Sequence, residues 1–233
     1  MLALSLAACG QVLAVEHYAL QWATWLGGNG NDSQEASIRL DKDNNVFVLP
    51  YTLSADAPTT AGAHDRTYNS GADYYLAKLS PDGRQLLYGT YLGGSGDEYL
   101  NTHNLAVDLE GNAYISVSTG STNFPTTPGA YDRTYNGGAI DWGIAKLSPT
   151  GALLASTFIG GAANEDGRSG YLDAAGNCYL VGQSPGAGWP AANAYQAAFG
   201  GGALDCIVAK FAPPNPALRR RSPNNENGAS HLN

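Results

Sequence analysis

The chain reads as all-β, an array of short four-stranded antiparallel sheets, and three observations carry that reading. A unit recurs: the Leu or Ile before a Gly pair stands at Leu26, Leu92 and Ile159, spacings of 66 and then 67 residues, and a fixed period of this size marks a repeat architecture. Composition agrees, because the 233 residues include 30 Gly, 10% aromatics, one Met and only 14% charged residues, a balance that suits strands joined by tight turns better than helices. The first two units also carry two hairpin signatures each, and the third carries the first of them. The chain is long enough for one sizeable core, and the repeat argues for one continuous array over residues 18–212.

In chain order, Met1 to Ala8 is apolar, and Leu6-Ala7-Ala8-Cys9-Gly10 has the pattern of a bacterial lipoprotein processing site, although no Lys or Arg precedes the apolar run. Residues 1–17 are therefore expected to be leader and linker, with Cys9 as a candidate lipid anchor. No apolar run reaches the length of a membrane-spanning helix.

The segment from Tyr18 to Leu26 is next. Tyr18-Ala-Leu-Gln-Trp-Ala-Thr-Trp25-Leu-Gly-Gly aligns with Gln85-Leu-Leu-Tyr-Gly-Thr-Tyr91-Leu-Gly-Gly, which makes it a fourth strand with no sheet of its own in front of it.

The central copy, Tyr91 to Thr157, is the most complete. Leu105–Val107 and Ala113–Val117 are strand-like and flank the turn Asp108-Leu-Glu-Gly111-Asn112, where Gly allows positive φ. Asp141–Leu147 and Leu153–Thr157 flank Ser148-Pro149-Thr150-Gly151, where Pro presets the turn and Gly ends it. Equivalent turns stand at Asp41 to Asn45, Asp173 to Asn177 and Ser80 to Gly83. Long Pro- and Gly-rich connections, Pro58 to Ala72, Pro125 to Ile140 and Pro190 to Leu204, join the two hairpins of each unit. The third copy stops after its third strand, Asp205–Phe211. From Pro213 the sequence turns to Pro, Asn and three Arg, a solvated tail.

One four-stranded sheet per repeat, apolar on both faces, is the blade of a β-propeller. The motifs YLGGSGDEY, VDLEGNAYIS, FPTTPGAYDRTYNGG and DWGIAKLSPTG resemble the bacterial SBBP family of seven-bladed β-propeller repeats, over roughly Tyr18 to Phe211. The third copy departs most, with Ala162-Ala163 after its Gly pair and no DRTYN segment. The resemblance implies an exported module that scaffolds or binds, at the bacterial surface or outside the cell. It carries over no catalytic residue.

The expected fold is thus three propeller-type blades, the last completed by the N-terminal strand of the same or a neighbouring chain. Tyr18, Leu20, Trp22 and Trp25 on the donor side and Ile207 and Phe211 on the acceptor side are the candidate assembly residues. A closed three-blade ring, a two-chain six-blade ring, a head-to-tail fibre and a piece of a longer protein all fit the pattern.

Net charge is −8, and outside the tail cluster of Arg219, Arg220, Arg221 and Glu226 there are 9 basic against 19 acidic residues. Phosphate backbones are repelled by such a surface, which speaks against nucleic acid. Cys178 and Cys206 fall at opposite ends of neighbouring strands, too far apart for a bridge.

Candidate chemistry is sparse. Gly182-Gln-Ser184-Pro-Gly186 fits the G-x-S-x-G nucleophile pattern, but Pro185 prevents the helix that must follow that serine. His17, His64, His103 and His231 stand at non-equivalent positions with no metal-ligand spacing. Asp32, Asp97 and Glu165 or Asp166 follow the three Gly pairs and are candidate calcium ligands; no other cofactor is indicated. Asp73, Asp141 and Asp205 open the third strands, with Lys78, Lys146 and Lys210 five residues on. Such recurrence points to blade construction, the Asp accepting backbone N–H groups and the Lys lying along a sheet face. Arg66 and Tyr68, with Arg133 and Tyr135, belong to DRTYN segments in two copies only, and are candidate contacts for a protein or a glycan. The expected function is a non-enzymatic structural or binding module that self-associates by strand exchange. The alternative is a glycan-binding or glycan-processing protein using loop carboxylates and aromatics.

Overall fold

The computed structural model describes residues 19–99, 103–186 and 188–213. Among them are eleven strands: β1 (Asp32–Leu40), β2 (Val46–Thr52), β3 (Asp73–Leu79), β4 (Leu86–Leu92), β5 (Leu105–Val107), β6 (Ala113–Thr119), β7 (Asp141–Leu147), β8 (Leu153–Phe158), β9 (Asp166–Leu172), β10 (Cys178–Ser184) and β11 (Asp205–Phe211). They form three antiparallel sheets in meander order, β1-β2-β3-β4, β5-β6-β7-β8 and β9-β10-β11. This is an all-β, propeller-like stack of blades. The first strands lie together at one side of it, β5 against both β1 and β9.

The turns are built as the residues dictate. In each β1–β2-type hairpin the Asp carboxylate accepts the backbone N–H and the side-chain amide of the Asn four residues on: Asp41 with Asn45, Asp108 with Asn112, Asp173 with Asn177, all at 2.7–2.9 Å. These caps close the turn without an ion. Gly83 and Gly151 end the second hairpins at φ 68° and 86°, donating to Ser80 O and Ser148 O.

Side chains alternate between the faces of each sheet. Tyr74, Leu76, Phe47, Leu49 and Leu92 of the first blade meet Leu105, Ile115, Val117, Ala145 and Phe158 of the second in one buried cluster. The other face of the second blade, with Trp142 and Ile159, meets Cys178, Leu180 and Ile207 of the third. Lys78, Lys146 and Lys210 lie over the rings of Phe47, Tyr114 and Tyr179 at 4.7–5.0 Å. Lys78 also pairs with Asp41 at 3.0 Å.

The third blade has three strands of its own, as the sequence reads, and one expectation needs correction: among the described residues, 19–26 form no strand. They do not complete the last blade within the chain: Trp22 lies over Gly83 of the first blade, its Nε1–H donating to Pro81 O at 3.1 Å. Tyr18 and Cys9, with the leader and tail, fall outside the described residues.

Candidate interaction site

At each Gly pair an acid four residues on from the second Gly folds back on it. Asp32 Oδ2 accepts Gly28 N–H (2.8 Å), Glu98 Oε2 accepts Gly94 N–H (3.3 Å) and Glu165 Oε2 accepts Gly161 N–H (3.0 Å). The other carboxylate oxygen takes a hydroxyl from the end of the blade's second strand, Thr52, Thr119 (2.7 Å) or Ser184 (3.0 Å). The equivalent acids are thus Asp32, Glu98 and Glu165. Asp97 instead accepts Ala72 N–H (3.0 Å) and Asp166 accepts the Ser118 hydroxyl (2.9 Å) and pairs with Arg168.

These clips lock successive blades together. The third-strand Asp of one blade reaches the Gly pair that leads into the next: a Cβ on Gly93 would stand 2.1 Å from Asp73 Oδ1 and 2.5 Å from Glu98 Oε2, and one on Gly160 would stand 1.6 Å from Asp141 Oδ1. Only glycine fits there. Asp73, Asp141 and Asp205 also accept N–H groups from their own connections, at Asn69, Asn136 and Gly200, as expected of blade construction. Desolvation pushes Asp73 and Asp141 up to about 6 and Glu98 up to about 8. Donors from Ser121 and Thr119 oppose the shift on Glu98, and the charge of Asp73 adds to it. The residue after each Asp lies in the junction: Tyr74 OH donates to Tyr99 O (2.6 Å) and accepts Ser118 N–H (2.9 Å) of the next blade, and the Trp142 ring, its Nε1–H donating to Ser116 Oγ (2.9 Å) within its own blade, lies against Gly167 and Gly182 of the third. In the third blade this position is Cys206, an exposed free thiol.

The long connections have a second task. They run along the outer edge of the fourth strand, so that β4 and β8 are held on both sides. Tyr91 N–H donates to Asp65 O and Phe158 N–H to Asp132 O, both at 3.0 Å. Thr90 and Thr157 hydroxyls accept Asp65 and Asp132 N–H at 3.0 and 2.8 Å. The strand's aromatic is then clasped: Tyr91 by Tyr68 and Tyr75 (ring centroids 6.1 and 5.8 Å), Phe158 by Phe124 and Tyr135 (6.3 and 6.0 Å). In the third blade the matching walls exist, Trp189 and Phe199, with Ile207 and Ala209 of β11 between them. Together they line a cleft of about 1290 Å³ that runs along β11. Trp189 is already stacked on Trp142 at 5.3 Å.

The remaining sequence candidates fall as follows. The candidate calcium ligands are not brought together: Asp32, Asp97 and Glu165 sit at different junctions with hydrogen-bond donors on their oxygens, and among the described residues no group of three or more His, Cys, Asp or Glu is arranged to hold a metal. Tyr68 and Tyr135 hydroxyls donate to Gly71 O and Gly138 O beneath their loops. Arg66 and Arg133 remain exposed, each Nε–H donating to a Thr hydroxyl at 3.3 Å (Thr59, Thr126). Ser184 is buried and donates to Glu165, with no helix behind it. His64 is half-buried, and burial holds its pKa below the usual histidine value. Cys178 and Cys206 stand opposite Phe211 and Gln183, at the two ends of the β10–β11 ladder, and both are free. Leu20 and Trp25 are exposed, while Ile207 is buried and Phe211 packs against the cluster between the second and third blades.

Sequence reasoning missed the acid in the second clip. Counting four residues on from the second Gly gives Asp32, Glu98 and Glu165, and that signal would have found it. The Asp73–Glu98 contact joins different blades, and no spacing announces it.

A comparison with curated proteins finds no match. Residues 87–125 match the family model described as SBBP, beta-propeller repeat, a span that runs from within β4 through the Gly93–Gly94 clip and past β6. The chain carries an SBBP β-propeller repeat.

Proposed function

We propose that the chain is a non-enzymatic structural and binding module of the bacterial cell exterior, and that it holds a protein partner along the open edge of its third blade. The cleft beside β11 carries this reading: its walls Trp189 and Phe199 match Phe124 and Tyr135, which clasp the fourth strand of the second blade, and an exposed sheet edge recruits a strand through its free backbone groups. The acids that a glycan-processing site would need support the non-enzymatic side. Glu98 and Glu165 are buried in repeat-equivalent clips, engaged by Thr, Ser and Gly donors, and Asp97 accepts Ala72 N–H away from them. Export, and attachment through Cys9, rest on the family resemblance and the lipoprotein-like Leu6 to Gly10.

The test uses Cys206, whose thiol lies at this edge. A peptide of residues 19–28, matching β4 and β8 in sequence, is expected to bind saturably and to slow alkylation of Cys206. A Val208→Pro substitution, which breaks the edge, is expected to abolish both effects. Unchanged alkylation at saturating peptide would overturn the reading.

A further inference from the structure

We propose that the strand seated in the third blade's cleft is residues 19–28 of a second copy of this chain, so that copies join head to tail; this rests on the strand-accepting edge argued above. Trp25 occupies the position of Tyr91 and Phe158 in the motif Thr-aromatic-Leu/Ile-Gly-Gly. Those two are fully buried, whereas Trp25 is 99% exposed. The chain thus has an exposed large aromatic in a strand-four motif and, separately, an aromatic-walled cleft beside β11 with no fourth strand among the described residues.

The registers of the first two blades fix how the parts would meet. Tyr75 stands opposite Tyr91 and Gly143 opposite Phe158, which puts Trp25 of the second copy opposite Ile207, between Trp189 and Phe199. Thr24 then takes the place of Thr90 and Thr157, whose hydroxyls accept Asp65 and Asp132 N–H; the matching group on the third blade's connection is Gln196 N–H. Leu26 falls opposite Cys206, as Leu92 falls opposite Tyr74.

The Gly pair completes the match. Asp73 and Asp141 each lie against the first Gly of the pair that follows them, beside the clip acid of the next blade. Asp205 is held by Gly200 N–H of its own connection, and among the described residues no following Leu/Ile-Gly-Gly pair lies against it. At the other end Gly27, Gly28 and Asp32 form a complete clip, and among the described residues no third-strand Asp lies against it. Seating residues 19–28 sets Gly27 against Asp205 and brings Asp32 to the place Glu98 holds beside Asp73. Two half-junctions on one chain make one whole junction between two.

The test is disulfide capture in the full chain carrying Cys9→Ser. Residues facing each other across an antiparallel ladder have Cα atoms about 4.5–5.5 Å apart, within reach of a disulfide. In a Leu26→Cys variant, mild oxidation is therefore expected to give covalent dimers and longer ladders that disappear on reduction and in a Cys206→Ser background. Trp25→Ala, at a residue exposed in the protomer, is expected to keep the fold and weaken association at least about tenfold, the behaviour of a buried aromatic anchor. A disulfide confined within one chain, or a monomer with no cross-link at micromolar concentration, overturns the proposal. The peptide of residues 19–28 separates this from the reading beneath it. If the peptide binds while the chain stays monomeric, self-pairing alone fails; if the peptide does not bind, both fail.

Discussion

Asp73 and Glu98, from neighbouring blades, converge on the bare Cα of Gly93, with Asp73 Oδ1 and Glu98 Oε2 within 2.1 and 2.5 Å of where a Cβ would stand. Both carboxyls are fully buried. Two acids so placed do not readily ionise together, because each charge must leave water and face the other.

The pair gives stability a definite pH dependence. Burial pushes both carboxyls above their ordinary values in the folded chain, Asp73 up to about 6 and Glu98 up to about 8, so above about pH 4 the folded state holds protons that the unfolded state has released. Stability is then greatest below the ordinary carboxyl range and falls as pH rises through the folded values. A fall in Tm of at least about 3 °C is expected between about pH 5 and pH 9, measured by thermal unfolding. Glu98→Gln, which keeps an acceptor for Thr119 and Ser121 but cannot ionise, is expected to flatten that slope. An unchanged slope in the variant would place the titration elsewhere.

Glycine at the junctions is required by contact. A Cβ on Gly160 would meet Asp141 Oδ1 at 1.6 Å, whereas one on Gly186 meets nothing closer than Ala163 Cβ at 3.5 Å. Gly160→Ala is expected to lose about 1–3 kcal/mol or more in chemical denaturation, as overpacked sites do. Gly186→Ala is expected to stay within about 0.5 kcal/mol of the parent. Equal effects would mean that the junction yields freely.

Much of the blade was legible because its signals are local. Asp141–Leu147 begins and ends where the sequence reading put it, since the Asp, the alternating apolar residues and the Ser-Pro-Thr-Gly turn all lie within one short window. The Asp–Asn hairpins were legible for the same reason. What lies between blades was not: Trp142 lies against Gly167 and Gly182 of the third blade and stacks on Trp189, contacts that depend on which face of a sheet meets its neighbour. The alignment of residues 18–26 with a fourth strand identified a strand-like sequence. It could not say whether a sheet edge stood near enough to pair with it, and among the described residues Trp22 found the Pro81–Gly83 turn instead.

The clasp around Phe158 predicts a large local cost. Phe158 is buried between Phe124 and Tyr135 and belongs to the cluster that joins the first two blades. Phe158→Ala is expected to cost about 3–5 kcal/mol in denaturant unfolding, and Phe158→Tyr, the residue type present at Tyr91, much less. Arg133→Ala, on the exposed side of the same loop, is expected to be neutral within about 0.5 kcal/mol. An equal cost at Arg133 would mean that the arginine, and not the aromatic, holds the loop.

Ser184 separates the structural from the enzymatic reading of its motif. It stands where Thr52 and Thr119 stand in the other blades, its hydroxyl donating to the clip acid Glu165 at 3.0 Å and also lying 3.2 Å from Gly186 O. Ser184→Ala leaves that buried carboxylate short of one donor and is expected to cost about 1–3 kcal/mol in denaturant unfolding. Ser184→Thr supplies the hydroxyl used elsewhere in the repeat and is expected to restore most of the loss. An organophosphonate probe that phosphonylates activated serines with loss of its leaving group is expected to leave Ser184 unlabelled, since the mechanism needs a histidine base and an exposed strand-to-helix turn and this serine is buried at the end of β10. Stoichiometric labelling, lost in Ser184→Ala, would reverse the assignment and make the third blade the seat of a hydrolase.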